Sequence, residues 1–173
     1  LVRERRCVDG RDGLLVGRHR LSYRDDLRDA RMLLFRETNE EVREAAAKDA
    51  DINLLLLNPG SDLEINALQR SAAIVIQKSL REGFGITVAE AMWKGKPVIA
   101  AETGGISLQV RFGQTGYTVN SVEGTAFYAR YLLSNPSVAE EMGRRGREVA
   151  RQYFLITRHV GEYLSLMLLM GRS

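Results

Sequence analysis

An alternation that persists along most of the chain limits its fold more than any other feature. Short, nearly continuous apolar runs at residues 14–16, 32–35, 52–57, 72–76, 97–100 and 117–119 take turns with longer segments of helical period. A run that is apolar at every position, rather than at every second one, suits a strand covered on both faces. Helix-start signals fall between the runs. Thr38 with Glu41, and Ser61 with Glu64, have the spacing of capping boxes, and Asn135 stands before Pro136 as a cap before a proline at the first helical position. The expected fold is α/β: an open, Rossmann-like parallel sheet with helices on both faces.

Composition narrows the function. The 173 residues are enough for one domain with its own core, and 45% apolar with 27% charged residues is a globular balance. No apolar run approaches the ~20 residues of a membrane helix. One cysteine, Cys7, excludes a disulfide framework or a cysteine zinc site, and His19 and His159 are far apart, so no metal site is expected. The net charge is +3, yet ten of the 21 arginines lie in the first 36 residues among six acids. That is a solvated surface of mixed sign, without the aromatic-interleaved basic motif that stacks bases, so neither nucleic acid nor a membrane is an expected partner. The chain opens at Leu1 with no signal segment; the expected location is cytoplasmic, and the chain is expected to belong to a longer protein. Two units are expected: a ligand-binding domain over 1–152 and a C-terminal helix over 153–173. That helix is apolar on more than one face (Tyr163, Leu164, Leu166 to Met170), as for docking on a further domain or on a second copy in a homodimer.

In open α/β sheets ligands sit where strands lead into helix N-termini. The loop after the run 72–76 reads Gln77-Lys78-Ser79-Leu80-Arg81-Glu82-Gly83-Phe84-Gly85-Ile86-Thr87. Its two glycines permit a tight turn and a close approach of backbone to ligand. A helix beginning near Ile86 would aim its first free N–H groups at a phosphate or diphosphate, with Lys78 and Arg81 nearby as cations. Glu82 and Glu90 are separated by seven residues and can flank one ligand, since carboxylates accept hydrogen bonds from vicinal hydroxyls of a sugar or a ribose. Plainer readings stand beside these. Thr87 and Glu90 have capping-box spacing, Glu90 and Lys94 have ion-pair spacing, and Glu82 beside Arg81 is compatible with ordinary surface charge. The loop matches neither the Walker motif nor the dinucleotide fingerprint.

Glu82-Gly83-Phe84-Gly85, followed by Glu90-Ala91-Met92 and Gly95-Lys96-Pro97-Val98-Ile99-Ala100, resembles the donor-binding, C-terminal half of retaining glycosyltransferases of family 4, which have the GT-B fold. Gly104-Gly105 and Thr115-Gly116 match that family's later elements. The fuller string from Gln77 to Ile99, with Glu64 to Arg70 upstream, is similar to the trehalose synthase and trehalose phosphorylase branch.

The resemblance implies a role for each matching position. Glu82 would contact the transferred glucose at the reacting centre. The amides of Gly83, Phe84 and Gly85 would bind the sugar, those of Ile86 and Thr87 the diphosphate, and Glu90 the ribose hydroxyls. Leu57 and Asn58 would border the nucleobase, and Lys78 belongs to the donor site without a defined role. The donor would be a nucleoside diphosphate glucose and no cofactor would be tightly bound; a magnesium ion is compatible with such a donor but not indicated by the sequence. The sugar acceptor would be held by an N-terminal domain preceding Leu1, and a first strand of the donor-binding domain itself, whose arginine and lysine neutralise the departing diphosphate, would also lie before Leu1. The implied reaction makes trehalose, with little or no turnover expected from this chain by itself. A trehalose phosphorylase and a non-catalytic assembly or regulatory module stand as alternatives.

Overall fold

The computed structural model describes residues 14–18, 32–34, 40–55, 57 and 60–171, with backbone alone at 14–18, 32–34, 40–42 and 45. Its elements follow in the order β1 (Leu14–Arg18), β2 (Met32–Leu34), α1 (Glu40–Lys48), β3 (Ile52–Leu54), α2 (Asp62–Ser71), β4 (Ala72–Gln77), α3 (Ile86–Trp93), β5 (Val98–Ala100), α4 (Ile106–Gln109), β6 (Gly116–Thr118), α5 (Val122–Ser134), α6 (Pro136–Tyr153) and α7 (Ile156–Met170). Each of the six apolar runs is a strand. Among the described residues they form one sheet in the order β3-β2-β1-β4-β5-β6.

The alternation within β4 and β5 explains why every position from Ala72 to Ile76 and from Val98 to Ala100 is apolar. Val75, Val98 and Ala100 face one side, where they meet Val88, Ala91 and Met92 of α3 and Ala150 of α6. Ile74, Ile76 and Ile99 face the other, against Leu132 of α5 and Ala139 and Met142 of α6. Helices thus cover both faces, as expected. Close approach between elements demands small residues: a Cβ on Gly116 of β6 would come 2.5 Å from the Val98 carbonyl oxygen. A Cβ on Gly143 of α6 would run into the carbonyl of Gly95 in the turn after α3.

The sheet departs from the all-parallel expectation at one strand. The pairs β2–β3, β4–β5 and β5–β6 are parallel, but β1 runs antiparallel to both β2 and β4, with Leu15 opposite Leu34 and Ile76. An apolar run reads the same in either direction, so its composition suits a central strand without specifying which way the strand points.

Two start signals are also corrected. Ser61 precedes α2 but its side chain makes no capping hydrogen bond. Asn135 precedes α6, yet its amide donates to the Tyr131 carbonyl (2.8 Å), one turn back in α5, rather than capping the new helix. Thr38 lies outside the described residues. The working cap is Ser121, which accepts from the N–H of Gly124 at 3.0 Å at the start of α5.

Candidate functional site

The loop of residues 78–85 leaves the C-terminal end of β4, the strand buried on both sides, and enters α3. Gly85 is the residue before the helix and has φ of +85°, a left-handed conformation that a side chain disfavours. A Cβ there would also press on Ile106 Cγ1 at 2.8 Å. Because Gly85, and not Thr87, stands at the cap position, Thr87 is already helical and the Thr87–Glu90 capping box does not form. The first N–H groups of α3, those of Ile86 and Thr87, have no intrahelical acceptor.

The segment 103–109 grips this loop by its carbonyls. The N–H of Gly105 donates to the Gly83 oxygen (2.8 Å), Thr103 Oγ1 donates to the Leu80 oxygen (3.4 Å), and Gln109 Nε2 donates to the Phe84 oxygen. A trans peptide points its N–H away from its C=O. Tying Gly83 and Phe84 carbonyls back therefore turns the N–H groups of Phe84 and Gly85 toward the other side of the loop. Gly105 permits the contact, since a Cβ there would lie 2.6 Å from the Gly83 oxygen. Gly104-Gly105 and Glu82-Gly83-Phe84-Gly85, separate motifs along the chain, are one packed unit.

Glu82 is partly buried and folds over its own loop, Oε1 accepting from the N–H of Gly85 at 3.1 Å. Phe84 is half-exposed and meets Phe154, just after α6, edge-to-face with centroids 5.9 Å apart. Lys78 donates to the Val119 carbonyl beyond β6, and burial lowers its pKa. Arg81 is exposed. Leu57 is buried, whereas Asn58 lies outside the described residues. The structure thus gathers Lys78 and residues 82–87 around one loop.

Glu90 lies one turn into α3 and is partly buried. Its expected ion pair with Lys94 is absent among the described residues; both side chains instead bind Gln69 of α2, which donates to Glu90 Oε2 (3.2 Å) and accepts from Lys94 Nζ. Sequence reasoning assigned no role to Gln69, Thr103 or Gln109. A signal existed for Gln69: Ile65, Leu68 and Gln69 share the helical stripe that faces the sheet, so a glutamine there is polar where an apolar residue is expected.

Residues 35–149 match the family model of the glycosyl transferases group 1. The chain is 41% identical over 133 residues to trehalose synthase from Pyrococcus horikoshii, covering 76% of this chain and 32% of that protein. It is 36% identical over 126 residues to trehalose phosphorylase from Pleurotus sajor-caju, covering 65% of this chain and 17% of that protein. The chain therefore spans about a third, or less, of the length of the curated relatives it matches. Among solved structures, Anabaena HepE in complex with UDP-glucose superposes with a TM-score of 0.61 at 24% identity, over 73% of this chain and 36% of that one. That likeness concerns the fold, the GT-B glycosyltransferase architecture, while the family match rests on the sequence itself. Fold, loop and family model agree: the chain belongs to the glycosyl transferases group 1 family, as a relative of trehalose synthase and trehalose phosphorylase.

Proposed function

We propose that this chain is the donor-binding domain of a retaining glycosyltransferase that transfers glucose from a nucleoside diphosphate glucose to a sugar acceptor, in the synthesis of trehalose. The observation that carries the reading is the tied-back loop. Its Leu80, Gly83 and Phe84 carbonyls are occupied by Thr103, Gly105 and Gln109, which turns the Phe84 N–H away from that segment. That N–H is close along the chain to the first N–H groups of α3, while the Gly85 N–H is taken by Glu82; such a loop before a helix start suits a diphosphate.

In this reading one oxygen of Glu82 holds the loop through Gly85 and the other accepts from a hydroxyl of the transferred glucose. The amides of Gly83, Phe84 and Gly85 border the sugar, those of Ile86 and Thr87 receive the diphosphate, Glu90 accepts from the ribose hydroxyls, and Leu57 and Asn58 border the base. Lys78, engaged with Val119, orders the entry to the loop. Reaction proceeds on one face of the sugar. The bond from the anomeric carbon to the phosphate oxygen breaks as the acceptor oxygen attacks from the same side, and the leaving phosphate oxygen takes the acceptor proton. Preorganised N–H groups stabilise the charge that develops on the diphosphate. The acceptor would be bound by a further, N-terminal domain on which the apolar helix α7 docks, so the isolated chain binds donor and turns over little.

Calorimetric titration with UDP, ADP and UDP-glucose, repeated on Glu90→Ala, tests the reading. Saturable binding that weakens in the variant by about 1–3 kcal/mol supports it, that being the range for a hydrogen bond to a charged group. A folded protein that binds no nucleotide overturns it and favours a non-catalytic module. The likeness to trehalose phosphorylase favours a second reading, which phosphate-dependent cleavage of trehalose without nucleotide would establish for the full-length enzyme.

A further inference from the structure

Gln69 is fully buried on α2, yet its amide is held at both ends by charged groups of α3 and its C-terminal cap. The amide fits only one way round. The Lys94 ammonium has donors alone and an ionised Glu90 carboxylate has acceptors alone, so Oε1 must face Lys94 and Nε2 must face Glu90. Glu90 and Lys94 are four residues apart, a spacing at which they would ordinarily pair directly. Gln69 stands between them instead.

Two consequences follow for Glu90. Its Oε2 is anchored to a side chain that cannot move without disturbing the core, which restricts the carboxylate to one rotamer and leaves Oε1 for a ligand. Lys94 is held at the far end of the same amide, so its ammonium does not occupy the remaining lone pairs of the carboxylate. A direct ion pair would instead have placed the ammonium on the carboxylate itself. Burial lowers the Lys94 pKa, an effect the Glu90 charge opposes and Arg70 reinforces.

We propose that Gln69 is a positioning residue: it presents one oxygen of Glu90 to the vicinal hydroxyls of a ribose and so sets the preference of the site for ribonucleotides. The inference rests on the reading of Glu90 as the ribose-binding group. A glutamine retained only to fill space between α2 and α3 would act on stability alone, whereas a positioning residue changes how the site treats two ligands differing only in the ribose.

The test compares UDP and ADP with their 2′,3′-dideoxy counterparts by calorimetry, on the parent chain and on Gln69→Met, Lys94→Met and Glu90→Ala, each checked for folding by circular dichroism. Gln69→Met keeps the side-chain volume and loses both hydrogen bonds. It is expected to weaken ribonucleotide binding about three- to ten-fold, the effect of losing one charge-assisted hydrogen bond behind the contact, and to leave the dideoxy form unchanged. Lys94→Met, at a partly exposed position, is expected to act in the same direction by a smaller factor. Adding Gln69→Met to Glu90→Ala should change nothing further. A folded Gln69→Met protein with the parent's ribose preference overturns the proposal while the Glu90 reading stands, provided Glu90→Ala abolishes that preference. If Gln69→Met does not fold, Lys94→Met decides on the same criterion. Glu90→Ala with an undiminished preference, or a parent chain that binds neither nucleotide, overturns the donor-site reading and this inference together.

Discussion

Gly104 lies against the carbonyl oxygen of Glu82, closer than any side chain permits: a Cβ on Gly104, where φ is +48°, would collide with that oxygen. The segment after β5 is therefore the floor of the loop that carries Glu82, and the loop has its shape only while that floor is bare backbone.

Gly104→Ala should consequently damage stability and binding together. Overpacking against a backbone oxygen, added to the left-handed strain of an alanine, is expected to cost about 2–4 kcal/mol. Chemical denaturation measures that loss, and nucleotide titration should show the folded fraction binding at least tenfold more weakly.

Gln109→Leu should separate the two quantities. The Gln109 side chain is buried; its Nε2 holds the Phe84 carbonyl while its Oε1 has no hydrogen-bond partner among the described residues. Removing the side-chain amide loses one bond but also relieves an unsatisfied buried oxygen, so stability is expected to change by less than about 1 kcal/mol. Released from Gln109, the Phe84–Gly85 peptide can rotate, and donor affinity falls. Equal losses in unfolding free energy and binding would show that Gln109 supports the fold alone.

Gly143→Ala is the counterpart away from the loop. Its Cβ would run into the Gly95 carbonyl where α6 crosses the turn after α3, and about 1–3 kcal/mol of stability should be lost. The nucleotide affinity of the protein that remains folded should match that of the parent, as a titration well below the unfolding midpoint will show.

Acid should loosen α6 in a defined window. Hydrogen bonds from Arg144 and then Arg145 lower the Glu141 pKa from 4.5 to about 2, and hydrogen bonds from Arg151 and then Gln152 do the same for Glu148. Both carboxylates are depressed in the folded state, so their stabilising contribution is complete above the unfolded value near 4.5 and is lost as pH falls through about 2. The groups are exposed, so the effect is small and shrinks with salt. Melting curves between those limits should show a slope that flattens in Glu141→Gln and in high salt.

Removal of α7 should leave the domain intact. No residue of that helix is buried, whereas Phe154, just before it, packs on Phe84. A chain ending at Leu155 is expected to unfold at the parent midpoint and to sediment as a less self-associated species. A lower midpoint would show that α7 contributes to this domain's own core.

Local pattern made much of this legible. The six apolar runs are strands because a strand buried on both faces must be apolar at consecutive positions. The helix expected to start at Pro136 appears as Pro136–Tyr153 and the expected C-terminal helix as Ile156–Met170, because proline and apolar spacing mark them within a few residues. The Glu-Gly-Phe-Gly loop and its helix start were legible because a left-handed turn at Gly85 leaves glycine at a fixed place. Capping was read less well, since serine or asparagine before a helix has other carbonyls and amides to bond, as Asn135 does with Tyr131.

The amino-acid order alone thus determined which segments are strand or helix, which loop is the candidate site, and which family the motifs resemble, because burial and turn geometry leave local, periodic marks. Tertiary structure decided the direction of β1, the grip of residues 103–109 on the loop, and the interposition of Gln69 between Glu90 and Lys94. The last two join side chains and backbone 21 to 25 residues apart. Their energies depend on which atoms the packed helices bring within hydrogen-bonding distance, and no period along the chain records that.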